Sequence, residues 1–163
     1  MKHITFARWE IECEAEATRD IFNRVRSGAP ETCGCAACLN FAAARSKIYP
    51  SDVVRLFDSL GVPHNREAEI YHTHRIAPGK HHYGGWFHFV GRIVSGLDAC
   101  KQTGTTGNGP VWGFDLEKIG TEFEMGFTHR IGLLEEPFKG HSVVQLEFQA
   151  TVPWLLSEEE PGS

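Results

Sequence analysis

The stretch Ser142-Val143-Val144-Gln145-Leu146-Glu147-Phe148-Gln149-Ala150-Thr151-Val152 alternates without a break. Val144, Leu146, Phe148, Ala150 and Val152 fall on one side, and Gln145, Glu147, Gln149 and Thr151 on the other. Side chains of a strand point alternately to its two faces, so this pattern specifies a strand with one dry and one polar face. Such a strand suits an antiparallel sheet with its core on one side. Three upstream segments carry related patterns. In 69–76, Glu69, Tyr71, Thr73 and Arg75 oppose Ile70, His72, His74 and Ile76. In 82–93, Phe87, Phe89 and Ile93 oppose His82, Trp86, His88 and Arg92, with His81 and His82 read as turn residues. In 121–131, Phe123, Met125, Phe127, His129 and Ile131 oppose Glu122, Glu124, Thr128 and Arg130.

The first half of the chain changes period. Residues 4–12 alternate loosely and read as one strand. Ala17, Ile21 and Val25 then recur every four residues, with Phe22 beside them, which is one face of a helix over 14–25. Glu14 and Glu16 at its start and Arg24 and Arg26 at its end suit the helix dipole, and Gly28 and Pro30 stop it. A second helix is expected over 36–48, with Ala37, Phe41, Ala44 and Ile48 in line. A third is expected over 51–60, N-capped by Ser51 and closed by Gly61 and Pro63. Residues 95–112 read as a long Gly- and Thr-rich loop. Helices gathered first and strands last predict an α+β fold: an antiparallel sheet of four to six strands with about three helices on one face. Residues 1–156 form a single domain in this reading, followed by a flexible acidic tail over 157–163.

The net charge of −5 and the lack of any Lys/Arg block argue against a nucleic-acid or anionic-membrane surface, which needs concentrated positive charge. No apolar run approaches the roughly 18 residues of a membrane span. Met1, Lys2 and His3 lead straight into the first alternating segment with no export signal, which implies a cytoplasmic setting.

Three of the five cysteines, Cys33, Cys35 and Cys38, lie within six residues as C-x-C-x2-C. Thiolates are soft donors that Zn²⁺ takes at the corners of a tetrahedron. Gly34 lets the backbone curl, and Ala36 and Ala37 leave room for three sulfurs to converge. The expected cofactor is zinc, with Cu(I) matching the same softness. A histidine, Cys13 or Cys100 would complete the site. His72 and His74 are the leading candidates, because residues two apart on a strand point the same way. Two other readings stay open: small thiols packed between helices, and a redox or nucleophilic cysteine.

The alternation also collects Tyr71, Trp86, His88, Gln145 and Glu147, with Glu124 and Arg130, on the face away from the helices. Aromatic walls with a few acids and amides suit a small-molecule or hydrolytic site, and His beside a carboxylate suits acid–base chemistry. A merely solvated sheet face has a similar make-up. Tyr83-Gly84-Gly85 marks a bulge or a close approach to the backbone. The Gly104–Pro110 loop lacks the lysine of a phosphate-binding loop. A third class is a protein-interaction module of acidic character.

The CxCxxCxNF segment from Cys33 to Phe41, Tyr83-Gly84-Gly85-Trp86-Phe87-His88-Phe89-Val90, and the terminal segment from Val144 to Trp154 together resemble a group of bacterial proteins of similar length and unassigned activity. The resemblance implies a bacterial, cytosolic setting and transfers no activity or site residue.

Overall fold

A computed structural model describes residues 1–162. Its order is β1 (Lys2–Phe6), β2 (Trp9–Cys13), α1 (Ala15–Phe22), α2 (Ala29–Cys33), α3 (Ala36–Ala44), α4 (Ser51–Leu60), β3 (Glu69–Ala77), β4 (Lys80–Ser95), β5 (Cys100–Thr106), β6 (Gly109–Phe114), β7 (Glu117–Lys118), β8 (Phe123–Thr128) and β9 (Val143–Pro153). Single 3₁₀ turns follow α3 and precede β9. This is an α+β protein, with its helices in the N-terminal half and a sheet whose pairings are antiparallel. No helix among the described residues is long and apolar enough to cross a membrane.

The strand order is β1-β2-β4-β9-β8-β7, with β3 also on β4. The long strand β4 organises the sheet. One edge pairs with β9 from Lys80 to Val90, while the other is shared between β3 and β2. At the junction between those two partners, backbone groups of Val90 need other company. Its N–H donates to the buried Thr18 hydroxyl at 3.0 Å, and its carbonyl accepts from Glu14 N–H at 2.9 Å. Helix α1 therefore closes the gap in the ladder and is fixed over the sheet by doing so.

Residues directly opposite one another in the register share a face. Phe87 faces Leu146, Phe89 faces Val144, and Leu146 also faces Phe127. All are buried with the inner faces of α1, α3 and α4. Tyr49, just before α4, packs edge-on to Phe57, Phe123 and Phe148, and Phe57 lies 4.7 Å from Phe87, ring centre to ring centre. Tyr49 also donates to Glu67 at 3.3 Å. Arg45 grips both oxygens of that buried Glu67, at 2.7 and 2.9 Å, and reaches Glu31 at 2.6 Å. This network ties α2, the end of α3 and the approach to β3 together.

Several boundaries differ from the sequence expectation. Residues 4–12 form two strands, because Ala7 takes a left-handed φ of 50° and turns the chain. The segment before the cysteines holds the short helix α2, which Pro30 opens instead of stopping α1. The second helix ends at Ala44 and tightens into a 3₁₀ turn. The expected 95–112 loop is mostly the β5–β6 hairpin, which forms its own two-stranded sheet. His81 and His82 lie within β4 rather than in a turn. Of the 157–163 tail, Ser163 lies outside the described residues; within 157–162 the Glu160 carboxylate accepts from Gly79 N–H at 3.0 Å and meets His81 Nε2 at 3.0 Å.

Candidate functional site

Two constellations bear chemistry, one on the helical layer and one on the opposite face of the sheet. The first is the cysteine turn. Cys33 ends α2, Gly34 follows with φ 71°, and Cys35 caps the start of α3. A residue with a Cβ disfavours that left-handed φ, so glycine lets one helix end and the next begin within two residues. The ligand atoms of Cys33, Cys35 and Cys38 all lie within 4.8 Å of one another, and no disulfide joins them. Sulfurs around a tetrahedral zinc with bonds of ~2.3 Å stand about 3.8 Å apart, so the set needs little adjustment to close on an ion. Cys33 and Cys35 are exposed and Cys38 is buried.

The backbone N–H of Cys38 donates to Cys35 Sγ at 3.4 Å. That bond, aided by contacts from the neighbouring thiols against a smaller burial effect, lowers the Cys35 pKa. Burial, then hydrogen bonding and repulsion from the other two sulfurs, pushes Cys38 up. The start of α3 is itself fixed to the sheet. Tyr83 Oη donates to the Ala37 carbonyl at 2.8 Å, and Asn40 donates to the Pro153 carbonyl while accepting from Leu155 N–H.

His72 and His74 do not join this group. A register shift between them breaks the alternation on which their common orientation depended. His72 Nε2 meets His81 Nδ1 at 2.8 Å, while His74 stacks on His82 and bonds Thr73. Cys13 is buried in β2, where its thiol faces the Ser59 carbonyl, and Cys100 starts β5. Among the described residues, the converging metal-ligand set is the three cysteines alone.

The second constellation is a cleft of about 430 Å³ on the sheet's polar face. Trp86 opposes Glu147, and His88 opposes Gln145, across the β4–β9 pair. Tyr71 reaches them from β3 because its ring lies over Gly84. A Cβ there would stand 2.2 Å from the phenol. Tyr71 Oη donates to Glu147 Oε1 at 3.2 Å, and Gln145 Nε2 donates to Oε2 at 2.8 Å. Gln145 Oε1 accepts from Gly132 N–H at 2.8 Å and meets His88 Nε2 at 3.2 Å. The Gly132 bond fixes the amide's orientation, so Nε2 of His88 is the donor in this chain. His88 Nδ1 is buried without a hydrogen-bond partner among the described residues.

Burial lifts Glu147 to about 7, against the smaller opposing pull of Gln145 and Tyr71. Burial lowers His88 to about 4. Tyr71 is raised to about 12 by burial and by Glu147 beside it.

Of the polar-face residues singled out from sequence, Tyr71, Trp86, Gln145 and Glu147 line this cleft, while His88 sits behind Gln145. Arg130 also lines it, whereas Glu124 does not and instead borders a shallow pocket with His82 and Gln149. Sequence reading missed the far wall of Cys100, Trp112 and Phe114. The aromatic pair Trp112 and Phe114, two residues apart, was a signal, but the Gly-rich tract before it masked it.

No protein-family model matches this chain, and no curated protein or solved structure matches it. The functional reading therefore rests on the chemistry of these two sites.

Proposed function

We propose that this chain is a metal-binding domain that holds zinc, or a metal of similar softness, on Cys33, Cys35 and Cys38. The observation that carries this reading is the convergence of three unbridged sulfurs on a glycine turn at a helix start. The lowered pKa of Cys35 favours the thiolate form that a metal needs. A cytoplasmic, reducing setting would keep the set unbridged. Exposure of Cys33 and Cys35 favours a fourth corner open to water or to a donor from another molecule. A site with three protein ligands and one exchangeable position suits Lewis-acid chemistry or metal exchange, whereas four protein ligands would make the ion purely structural.

The test is elemental analysis of freshly purified, untagged protein by plasma mass spectrometry, with a native thiol count. The expected result is about one zinc per chain, lost in Cys35→Ser, with a chelator lowering the melting temperature of the parent. Metal-free protein whose Cys33 and Cys35 react freely, and whose melting temperature zinc does not raise, would overturn the proposal.

A further inference from the structure

The cleft on the polar face needs an explanation that the cysteine turn does not supply. It lies on the other side of the sheet and shares no residue with the metal site. Its base is a glutamate with only 1% of its surface exposed. A buried carboxylate ordinarily has a cation beside it, because burying an unpaired charge is costly. Here the protein supplies two neutral donors, an amide and a phenol, one to each oxygen. Each carboxylate oxygen can accept a further hydrogen bond.

The walls are aromatic. Trp86 is anchored by its indole N–H, which donates to the Gly132 carbonyl at 3.0 Å. Opposite stand Trp112 and Phe114 of the β5–β6 hairpin, 43% and 40% exposed. Arg130 lays its guanidinium 3.7 Å above the Trp112 ring and extends that wall. The hairpin pairs with no strand of the main sheet, so these two rings face the cleft without a packing partner from the ladder. A volume of about 430 Å³ falls at the small end of ordinary ligand pockets.

We propose that this cleft binds a flat aromatic molecule that donates paired N–H groups to Glu147 and packs its faces against the indoles of Trp86 and Trp112. The chemical class is an amidine or amino-substituted heterocycle of one or two rings. A paired N–H edge matches the remaining acceptor capacity of the two carboxylate oxygens in the way a guanidinium does. The Gln145 and Tyr71 bonds orient that carboxylate, and Gln145 is in turn held by Gly132 N–H and His88, so the acceptor pair is set before a ligand arrives.

Three probes test it: benzamidine, 2-aminobenzimidazole and guanine, with benzoate and indole as flat controls without a paired N–H edge. Binding is read by tryptophan fluorescence and by isothermal calorimetry on the intact chain. At least one donor probe is expected to bind, with the controls at least about tenfold weaker. Glu147→Gln is expected to lose tenfold or more for that probe while the circular dichroism spectrum is kept. Trp112→Ala alters a half-exposed residue outside the core, so it supplies a second, folding-neutral variant, and it is expected to weaken the same probe. Equal binding of probes and controls, or a Glu147→Gln protein that binds as the parent does, would overturn the proposal. So would failure of all three probes at millimolar concentration.

Discussion

Glu67 and Glu147 are buried carboxylates on opposite sides of one sheet, and they keep different company. Glu67 lies among the helices, clasped through both oxygens by Arg45 and bonded by Tyr49. Glu147 lies on the polar face with an amide and a phenol, neither of them charged. Burial raises the pKa of both, but Arg45 opposes the rise at Glu67, while at Glu147 the opposing bonds come from neutral groups. Other polar groups on the helical side are equally complete: Thr18 bonds Val90, and Asn40 uses both ends of its amide. Buried polar groups that serve only the fold are generally satisfied within it. What marks the polar face as a place for chemistry is a buried carboxylate whose two donors are both neutral, beside a His88 Nδ1 that has no partner among the described residues.

The largest effect expected from this contrast is on the helical side. Arg45→Ala leaves Glu67 buried without its cation and also releases Glu31 from α2. Removing one partner of a buried pair costs about 3–5 kcal/mol. Urea denaturation at pH 7 should show a loss of this size. A loss below about 1 kcal/mol would mean that Glu67 is no better integrated than a surface acid, and the contrast would fail.

The second effect has the opposite sign. The carboxyl of Glu147 titrates near 7 in the folded chain, against an ordinary value of 4.5. Between those values the folded state keeps a proton that the unfolded state has released, so this group lowers stability as pH rises through the window. The full cost, present above pH 7, is about 3 kcal/mol. His88 works the other way. Its folded value of about 4 lies below the ordinary 6.5, so the unfolded state binds the extra proton, and stability falls as pH drops from 6.5 towards 4. The two slopes oppose each other where the windows overlap. Glu147→Gln removes only the first. Its unfolding free energy should match the parent at pH 4.5 and exceed it at pH 8, by up to about 3 kcal/mol. A variant less stable than the parent at pH 8 would mean that the carboxylate is fully accommodated by its two neutral partners.

The contrast was only partly visible in the sequence. Residues 142–152 disclosed both faces of β9, since an unbroken period of two leaves no freedom of register. That placed Gln145 and Glu147 together, and Trp86 and His88 followed from the same rule on β4. The cysteine turn was legible because its three ligands are local. The failures have particular causes. Ala7 turns the chain in a conformation that usually calls for glycine, so nothing signalled two strands. The shift between His72 and His74 leaves no mark on composition, and it cancelled the pairing of the two histidines, which needed alternation to continue along β3. Glu67 sits outside any periodic run. Its partner Arg45 is 22 positions away at a helix end, so their pairing is a product of tertiary packing alone. Trp112 and Phe114 reach the cleft only because a hairpin folds over the sheet.

The smallest effect isolates one bond of the Glu147 set. Tyr71→Phe keeps the ring over Gly84, where a Cβ has no room, and deletes only the hydroxyl that donates to Glu147 Oε1. What that bond contributes depends on the charge it meets, because hydrogen bonds to an ionised acceptor are stronger than neutral ones. At pH 5 Glu147 is protonated in the folded chain, and the substitution should cost no more than about 1 kcal/mol. At pH 8 it carries its charge with one donor fewer, and the cost should rise to about 2 kcal/mol. The same loss raises the folded pKa of Glu147 further, so the Glu147→Gln difference still begins near 4.5 but goes on growing to more alkaline pH. Denaturation of both variants across pH 5–8, with Tyr71→Phe also placed in the Glu147→Gln background, reads this directly. If the cost of Tyr71→Phe persists unchanged once Glu147 is neutral at every pH, the phenol serves packing and does not help hold the carboxylate ready for a ligand.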